Sequence, residues 1–349
     1  MSTQIAKEAV LSTRDKLVNV EQSVLLNAVT SYLNVLRERE FVALRQNNVR
    51  LITQQLRAAK DRFDVGEVTR TDVSLAQSRL ALSRANLAAA EGNLARSREA
   101  YRVAIGHYPK SLRNVSGIPA TAKSQKAALA IAYKTHPAIL SAQHDVSAAE
   151  LGILRAESGM KPTLNVVGRL NYDRDFNDSS SLGLEMTGPI YAGGKITSGY
   201  RQAMARRDAA RAGLHVLRHD IAQAVGNAWS TLQVSRATLA ASNRQISAAQ
   251  VAFDGVKEEA TLGARTTLDV LDAEQELLDA KASRISAITD QYVAAYSLLS
   301  TMGLLTVDHL KLGIRTYDPS AYYNAIHRAP VDTTRSKRLD RVLRALGKQ

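Results

Sequence analysis

The chain has 349 residues with a net charge of +13, 5% aromatic residues, 23% charged residues and no cysteine. Few aromatics with abundant alanine, leucine and charge is the composition of long helices rather than of an ordinary enzyme. The lack of cysteine excludes disulfides and thiolate metal sites, and it is compatible with an oxidising compartment. The basic excess raises a nucleic-acid partner, but the basic residues are spread along the predicted helices without aromatic stacking platforms. A solvated helical surface with a basic tail and no nucleic acid is the reading adopted.

The N-terminus, Met1 to Glu8, lacks the basic segment followed by an apolar one that marks a signal peptide, so no export signal is expected in this chain. No run approaches the about 20 apolar residues of a membrane-spanning helix. Prolines fall only at 109, 119, 137, 162, 189, 319 and 330. Proline costs a helix interior about 3 kcal/mol, so residues 1–108 and 190–318 are free to be very long helices.

The first stretch predicts a helical hairpin over 1–108 with its turn at 63–71, around Phe63-Asp64-Val65-Gly66-Glu67-Val68-Thr69-Arg70-Thr71. Its returning arm carries heptads, with Val73, Leu80, Leu87 and Leu94 beside Ala76, Ser83, Ala90 and Ser97. A strict seven-residue repeat implies coiled-coil packing, and small residues at one position let helices approach closely. A plain two-stranded coiled coil has the same periodicity.

Residues 109–122 read as a connector. Short helices are expected over 123–158, one from about Lys123 to Lys134 and one from about Ala138 to Ser158. The period then drops to two. Leu164, Val166, Leu170 and Tyr172 point one way; Asn165, Val167, Arg169, Asn171 and Asp173 point the other. After a polar turn at 176–180, Leu182, Leu184 and Met186 alternate with Gly183, Glu185 and Thr187. The prediction is a β-hairpin over 163–188. One apolar and one charged face fit either an ordinary surface hairpin or strands between lipid and a wet lumen. Pro189, Gly193 and Gly194 mark the junction where the strand breaks and a long helix begins.

That helix opens a second hairpin over 196–302 with its turn near 263–267. It repeats the first at an offset of 197 residues: Gly66 matches Gly263, Thr69 matches Thr266, Asp72 matches Asp269, Val73 matches Val270 and Gly106 matches Gly303. A duplicated unit fixes architecture ahead of any local reading. Here Ala273, Ala280, Ala287 and Ala294 hold the small positions beside Val270 and Leu277. The large positions pass to Arg284 and Gln291, which predicts a wetter seam. Residues 123–318 thus form a complete repeat two, 1–108 a partial repeat one, and 319–349 a basic C-terminal tail.

No catalytic set stands out, and the seven histidines lack paired ligand spacing, so no metal or cofactor is expected. Gly193-Gly194-Lys195 lacks the rest of a phosphate loop, and Lys195 reads as a surface residue. Asp269 and Asp272 share a helix face just after the turn. By themselves they fit helix-start acids complementing the macrodipole. Thr71, Asp72 and Arg265 fit local turn capping.

Three motifs, in this order and spacing, carry a resemblance. They are Arg62-Phe63-Asp64-Val65-Gly66 with Thr71-Asp72-Val73, Pro189-Ile190-Tyr191-Ala192-Gly193-Gly194, and Gly263-Ala264-Arg265 with Asp269-Val270-Leu271-Asp272-Ala273. Over about residues 5–310 the chain resembles the TolC-type outer-membrane efflux proteins. The resemblance implies a homotrimer with a β-barrel in outer-membrane lipid and a long α-helical barrel across the periplasm. Its implied partners are a periplasmic adaptor protein and an inner-membrane transporter, in tripartite efflux or type I secretion, with no enzymatic activity. It implies that Asp269 and Asp272 line the periplasmic entrance as a selectivity ring, and that Thr71, Asp72 and Arg265 hold that entrance closed. The hairpin tips at Gly66 and Gly263 would then meet the adaptor.

Two departures matter. The family's aromatic partner for the Asp72-type residue falls at Ala260, which cannot serve. The family's first repeat also carries short helices and a strand pair, which are expected to be missing here. Open strand edges are not tolerated in lipid, so the chain as written is expected not to form the normal pore. The alternative reading is a periplasmic coiled-coil adaptor or scaffold protein, which would carry one hairpin flanked by β-domains.

Overall fold

The computed structural model describes residues 1–115, 117–171, 179–314 and 318–326, together with 338, 341 and 342. The elements in chain order are α1 (Ser2–Asp64), α2 (Arg70–Ile105), α3 (Gln125–Thr135), α4 (Pro137–Ser158), β1 (Thr163–Asn171), β2 (Ser179–Thr187), α5 (Lys195–Thr261), α6 (Thr267–Thr301) and α7 (Pro319–Ile326). One compact unit, Met1–Leu305, takes in both hairpins and the strand pair; a second begins at Thr306. Among the described residues no helix is long and apolar enough to cross a membrane.

The proline-free stretches become α1, of 63 residues, and α5, of 67. At about 1.5 Å per residue α5 is on the order of 100 Å long. Each long helix pairs with its returning arm, α1 with α2 and α5 with α6. The two seams are copies of one design. In the first, Ile52 and Leu80 are buried with Val49 and Leu56 against them. In the second, Ala249 and Leu277 are buried with Ile246 and Phe253 against them. All four pairs of positions obey the sequence offset. Bulk falls from Ile52 to Ala249 and is regained only in part from Leu56 to Phe253 and from Val49 to Ile246.

Leu271, 2% exposed, has no counterpart in the first seam. It leaves its own hairpin and inserts beside Ile52 and Leu80. This plug joins the hairpins near their tips and sets both tips at the same end. The wetter seam predicted near Arg284 is present: Arg284 is exposed and its Nε donates to Asn243 Oδ1 at 2.8 Å.

Further from the tips, α4 packs against α1 and α5. Ser12 Oγ donates to Asp145 Oδ1 at 2.7 Å and meets Ser141 Oγ at 3.0 Å. His144 stands between two carboxylates of α1, with Nδ1 2.7 Å from Glu8 Oε2 and Nε2 3.8 Å from Asp15 Oδ2. Burial pushes the Asp15 carboxyl up, and the nearby His144 only partly opposes this. The connector is pinned through its carbonyls. Tyr32 donates to Arg113 O at 2.6 Å, Arg39 to Leu112 O at 3.2 Å and Tyr292 to Val115 O at 3.2 Å.

Gly303 ends α6 against the α3–α4 junction, with φ of +77°. A Cβ there would lie 2.6 Å from His136 Cα and 2.7 Å from Thr135 O. Thr135 Oγ1 donates to Met302 O at 2.7 Å across the same contact, and burial holds His136 below the usual imidazole range. The equivalent Gly106 also has positive φ, but nothing lies within 4 Å of its Cβ position.

Strands β1 and β2 pair antiparallel, with Leu164 opposite Met186, Val166 opposite Leu184, Gly168 opposite Leu182 and Asn165 opposite Glu185. Ser179 and Ser180, read from sequence as turn residues, instead extend β2 and pair with Asn171 and Leu170. Serine tolerates a strand when its backbone can complete the ladder, and composition alone favours the turn. The rest of that turn, with Tyr172 and Asp173, lies outside the described residues. In the second unit, Leu310 N–H donates to Thr306 O at 3.0 Å and Pro319–Ile326 forms a short helix.

Candidate functional site at the hairpin tips

Both tips are built by the same local chemistry. In the first, the N–H groups of Gly66 and Glu67 donate to Phe63 O at 3.0 Å and Arg62 O at 2.9 Å. In the second, Gly263 and Ala264 donate to Ala260 O at 3.2 Å and Glu259 O at 2.9 Å. Such closure needs a left-handed residue, which Gly66 and Gly263 supply with φ of +81° and +80°.

Each returning helix then starts in a capping box. Thr69 N–H and Oγ1 donate to Asp72 Oδ2 at 2.9 and 2.7 Å, and Thr69 Oγ1 accepts from Asp72 N–H at 3.4 Å. For Thr266 and Asp269 the same three distances are 2.9, 2.8 and 3.2 Å. The Thr69 hydroxyl bond, then its backbone bond, holds Asp72 below the usual carboxylate range. For Asp269 the Thr266 backbone bond leads and the hydroxyl bond follows.

The sequence-derived site residues therefore divide. Asp72 and Asp269 each cap their own helix. Thr71 is exposed in the first turn of α2. Arg265 pairs with Glu259 of its own tip, Nε to Oε2 at 2.8 Å, and that bond raises its guanidinium. Asp272 reaches across to the other hairpin, where Arg79 donates to its Oδ1 at 2.6 Å. The structure thus joins Asp272 with Arg79 rather than with Asp269 in a single chain.

Sequence reading missed the group behind this ion pair. Glu274 of α6 is 4% exposed and faces α1. Its Oε1 accepts from Asn48 Nδ2 at 3.3 Å, and its Oε2 accepts from Gln55 Nε2. Burial, the largest influence, pushes this carboxyl up. The available signal was position: Glu274 lies four residues after Val270 and three before Leu277, on the packed face. A small cavity of mixed character adjoins it, bordered by Arg79, Ser83, Asn86 and Gln275 and by Ile52, Leu82 and Leu271.

At the opposite end of α5 the strand register collects apolar side chains on one face, and that face is open. Leu164, Val166, Leu170, Leu182, Leu184 and Met186 are each 67–81% exposed. At the junction, Pro189 breaks the strand, Gly193 and Gly194 both have positive φ, and Gly194 caps α5. Lys195 is exposed as its first residue.

Two equivalent capped hairpins, a joining plug and an open apolar strand pair define a class of protein, and comparison with known proteins agrees. The family model described as outer membrane efflux protein matches residues 1–107 and 128–304. The chain belongs to the outer membrane efflux protein family. It is 35% identical to the outer membrane efflux protein BepC of Brucella suis over 92% of this chain and 72% of that one. It is 28% identical to the outer membrane protein TolC of Escherichia coli over 83% of this chain, and spans 63% of TolC's length. The crystal structure of the Campylobacter jejuni CmeC outer membrane channel superposes with a TM-score of 0.75 at 16% identity, over 91% of this chain and 71% of that one. The expected fold class stands: mainly α with a β-hairpin, in two repeated helical hairpins.

Proposed function

We propose that this chain supplies the subunit of an outer-membrane exit duct, a passive conduit for drugs or proteins in a tripartite efflux or type I secretion system. The observation that carries the reading is the open apolar face of the strand pair, at the far end of a helix on the order of 100 Å long from the acidic tips. In water such a face is a liability; in lipid, closed with further strands, it is the required surface. Three copies, closed with further strands beyond this pair, would complete the tube, with the tips at Gly66 and Gly263 toward a periplasmic adaptor and an inner-membrane transporter.

In that assembly Asp269 and Asp272 would line the entrance. Their confinement favours cations. Thr71, Asp72 and Arg265 would tie neighbouring hairpins in the closed state. Single-channel recording of the trimer, with a trivalent cation on the tip side, tests this. The double variant Asp269→Ala, Asp272→Ala should lose cation block, whereas Asp72→Ala or Arg265→Ala should raise the resting conductance. Unchanged block in the double variant would reduce both acids to capping and pairing within one chain.

A further inference from the structure

Glu274 is buried where the two hairpins meet, and the network around it is incomplete. A carboxylate offers about four acceptor sites, and here it receives two bonds from neutral amides. Beside it, Gln55 Oε1 is buried without a hydrogen-bond partner. A single proton would answer both deficits. Gln55 already gives its N–H to one carboxyl oxygen. With a proton on the other oxygen, Glu274 donates back to the Gln55 carbonyl, forming a cyclic acid–amide pair with two parallel hydrogen bonds. An ionised carboxyl has no donor and sets its charge against that carbonyl.

We propose that Glu274 is a proton-operated key between the two hairpins: protonated, it locks α6 to α1 through Gln55; ionised, it releases that bond and the seam loosens. The charged groups around it are few. From α1 it meets the neutral Asn48 and Gln55. Arg79 of α2 is near, but its charge is taken by Asp272 at 2.6 Å. Lys257 of α5 and Lys281 of α6 favour the ionised form, and burial outweighs them. The first repeat holds Gln77 at the equivalent position, so the key is one-sided: repeat two grips repeat one. It lies within one turn of Leu271 and Asp272, so its release would act on the contacts that hold the tips together.

The chain has no cysteine, so spin labels can be placed singly at the exposed positions of Arg57 on α1 and Glu276 on α6. The full chain should show a narrow distance distribution at low pH, where Glu274 is protonated, and a broad one at high pH, where it is ionised. The transition should coincide with loss of a protonated-carboxyl infrared band. Glu274→Gln keeps the shape and carries donors at every pH. It should remain narrow at both and lose the Glu274 share of the band, leaving that of Asp15. Arg79→Gln should keep the response.

Equal wild-type distributions at the two pH values would overturn the proposal. So would a titrating band that keeps its full intensity in Glu274→Gln, where Asp15 is a remaining carboxyl raised by burial. Disappearance of the response in Arg79→Gln would assign the transition to the ion pair instead and equally overturn it. If Glu274→Gln does not fold, the coincidence of band and distance in the wild type still decides. These readouts lie within one chain and need no conductance, so they stand or fall separately from the duct.

Discussion

The two hairpin tips share a backbone and differ in charge. Both close on a left-handed glycine and restart in a threonine–aspartate box, with bond lengths that agree within 0.2 Å. Around that frame the second tip has Glu259 paired with Arg265, and Asp272 and Glu274 one turn beyond its box. The first has Arg62, Val68, Leu75 and Gln77 at those places. Local closure therefore needs only the shared residues. Of the residues that differ, Glu259 and Arg265 pair within their own tip, and Asp272 and Glu274 serve contacts beyond the turn. Asp272, Glu274 and Leu271 all reach the other hairpin.

The equivalent glycines at the helix ends give the largest expected contrast. Gly303→Ala adds left-handed strain to a clash with His136 and Thr135, and should cost about 2–5 kcal/mol. Gly106→Ala meets open space and should cost only the strain, about 1–2 kcal/mol. Denaturant unfolding followed by circular dichroism measures both. Similar costs would remove the distinction between the two helix ends.

At the tips the comparison predicts sameness. Gly66→Ala and Gly263→Ala should each cost about 1–2 kcal/mol, because neither Cβ would touch anything and the strain is common to both. Unequal effects on local hydrogen exchange would show that the tips are not equivalent in solution.

The smallest effects belong to the boxes. Thr69→Ala and Thr266→Ala should each cost about 1 kcal/mol and fray the first turn of α2 or α6. Asp72 and Asp269 have folded-state pKa values below their unfolded ones. Their contribution is present above an unfolded value of about 3.9 and is lost as pH falls through the folded value. Asp15 and Glu274 are shifted upward. Their contribution is full below their unfolded values and is lost as pH rises through the folded ones. Residue-resolved exchange against pH should thus show the tips loosening in acid while the α1–α6 seam at Glu274 and the α1–α4 contact at Asp15 tighten.

Most of the fold was legible because it is repetitive. Long proline-free heptads, a fixed offset and a period-two segment are statistical properties of many residues, and one misfit changes little. Two seams of buried residues obey the offset that Gly66 and Gly263 first gave. The site was legible only in part. Asp72 and Asp269 announced themselves through spacing from a threonine and a turn. Glu274 and Arg79 did not, because their partners are 219 and 193 residues away in sequence. An acid on a packed helix face signals burial, yet nothing in the string names the amides that receive it. Ser179 and Ser180 failed for a related reason. Their strand pairing is decided by the partner strand, not by their own preference.

The central claim is that two equivalent hairpins put their tips at one end and the strand pair at the other. Energy transfer between dyes answers it, with one doubly labelled chain per assembly. Dyes at positions 67 and 264 should lie within about two helix spacings, roughly 20 Å, and transfer almost completely. Dyes at positions 264 and 181 should be on the order of 100 Å apart and transfer almost nothing. Comparable efficiencies for the two pairs would contradict the account.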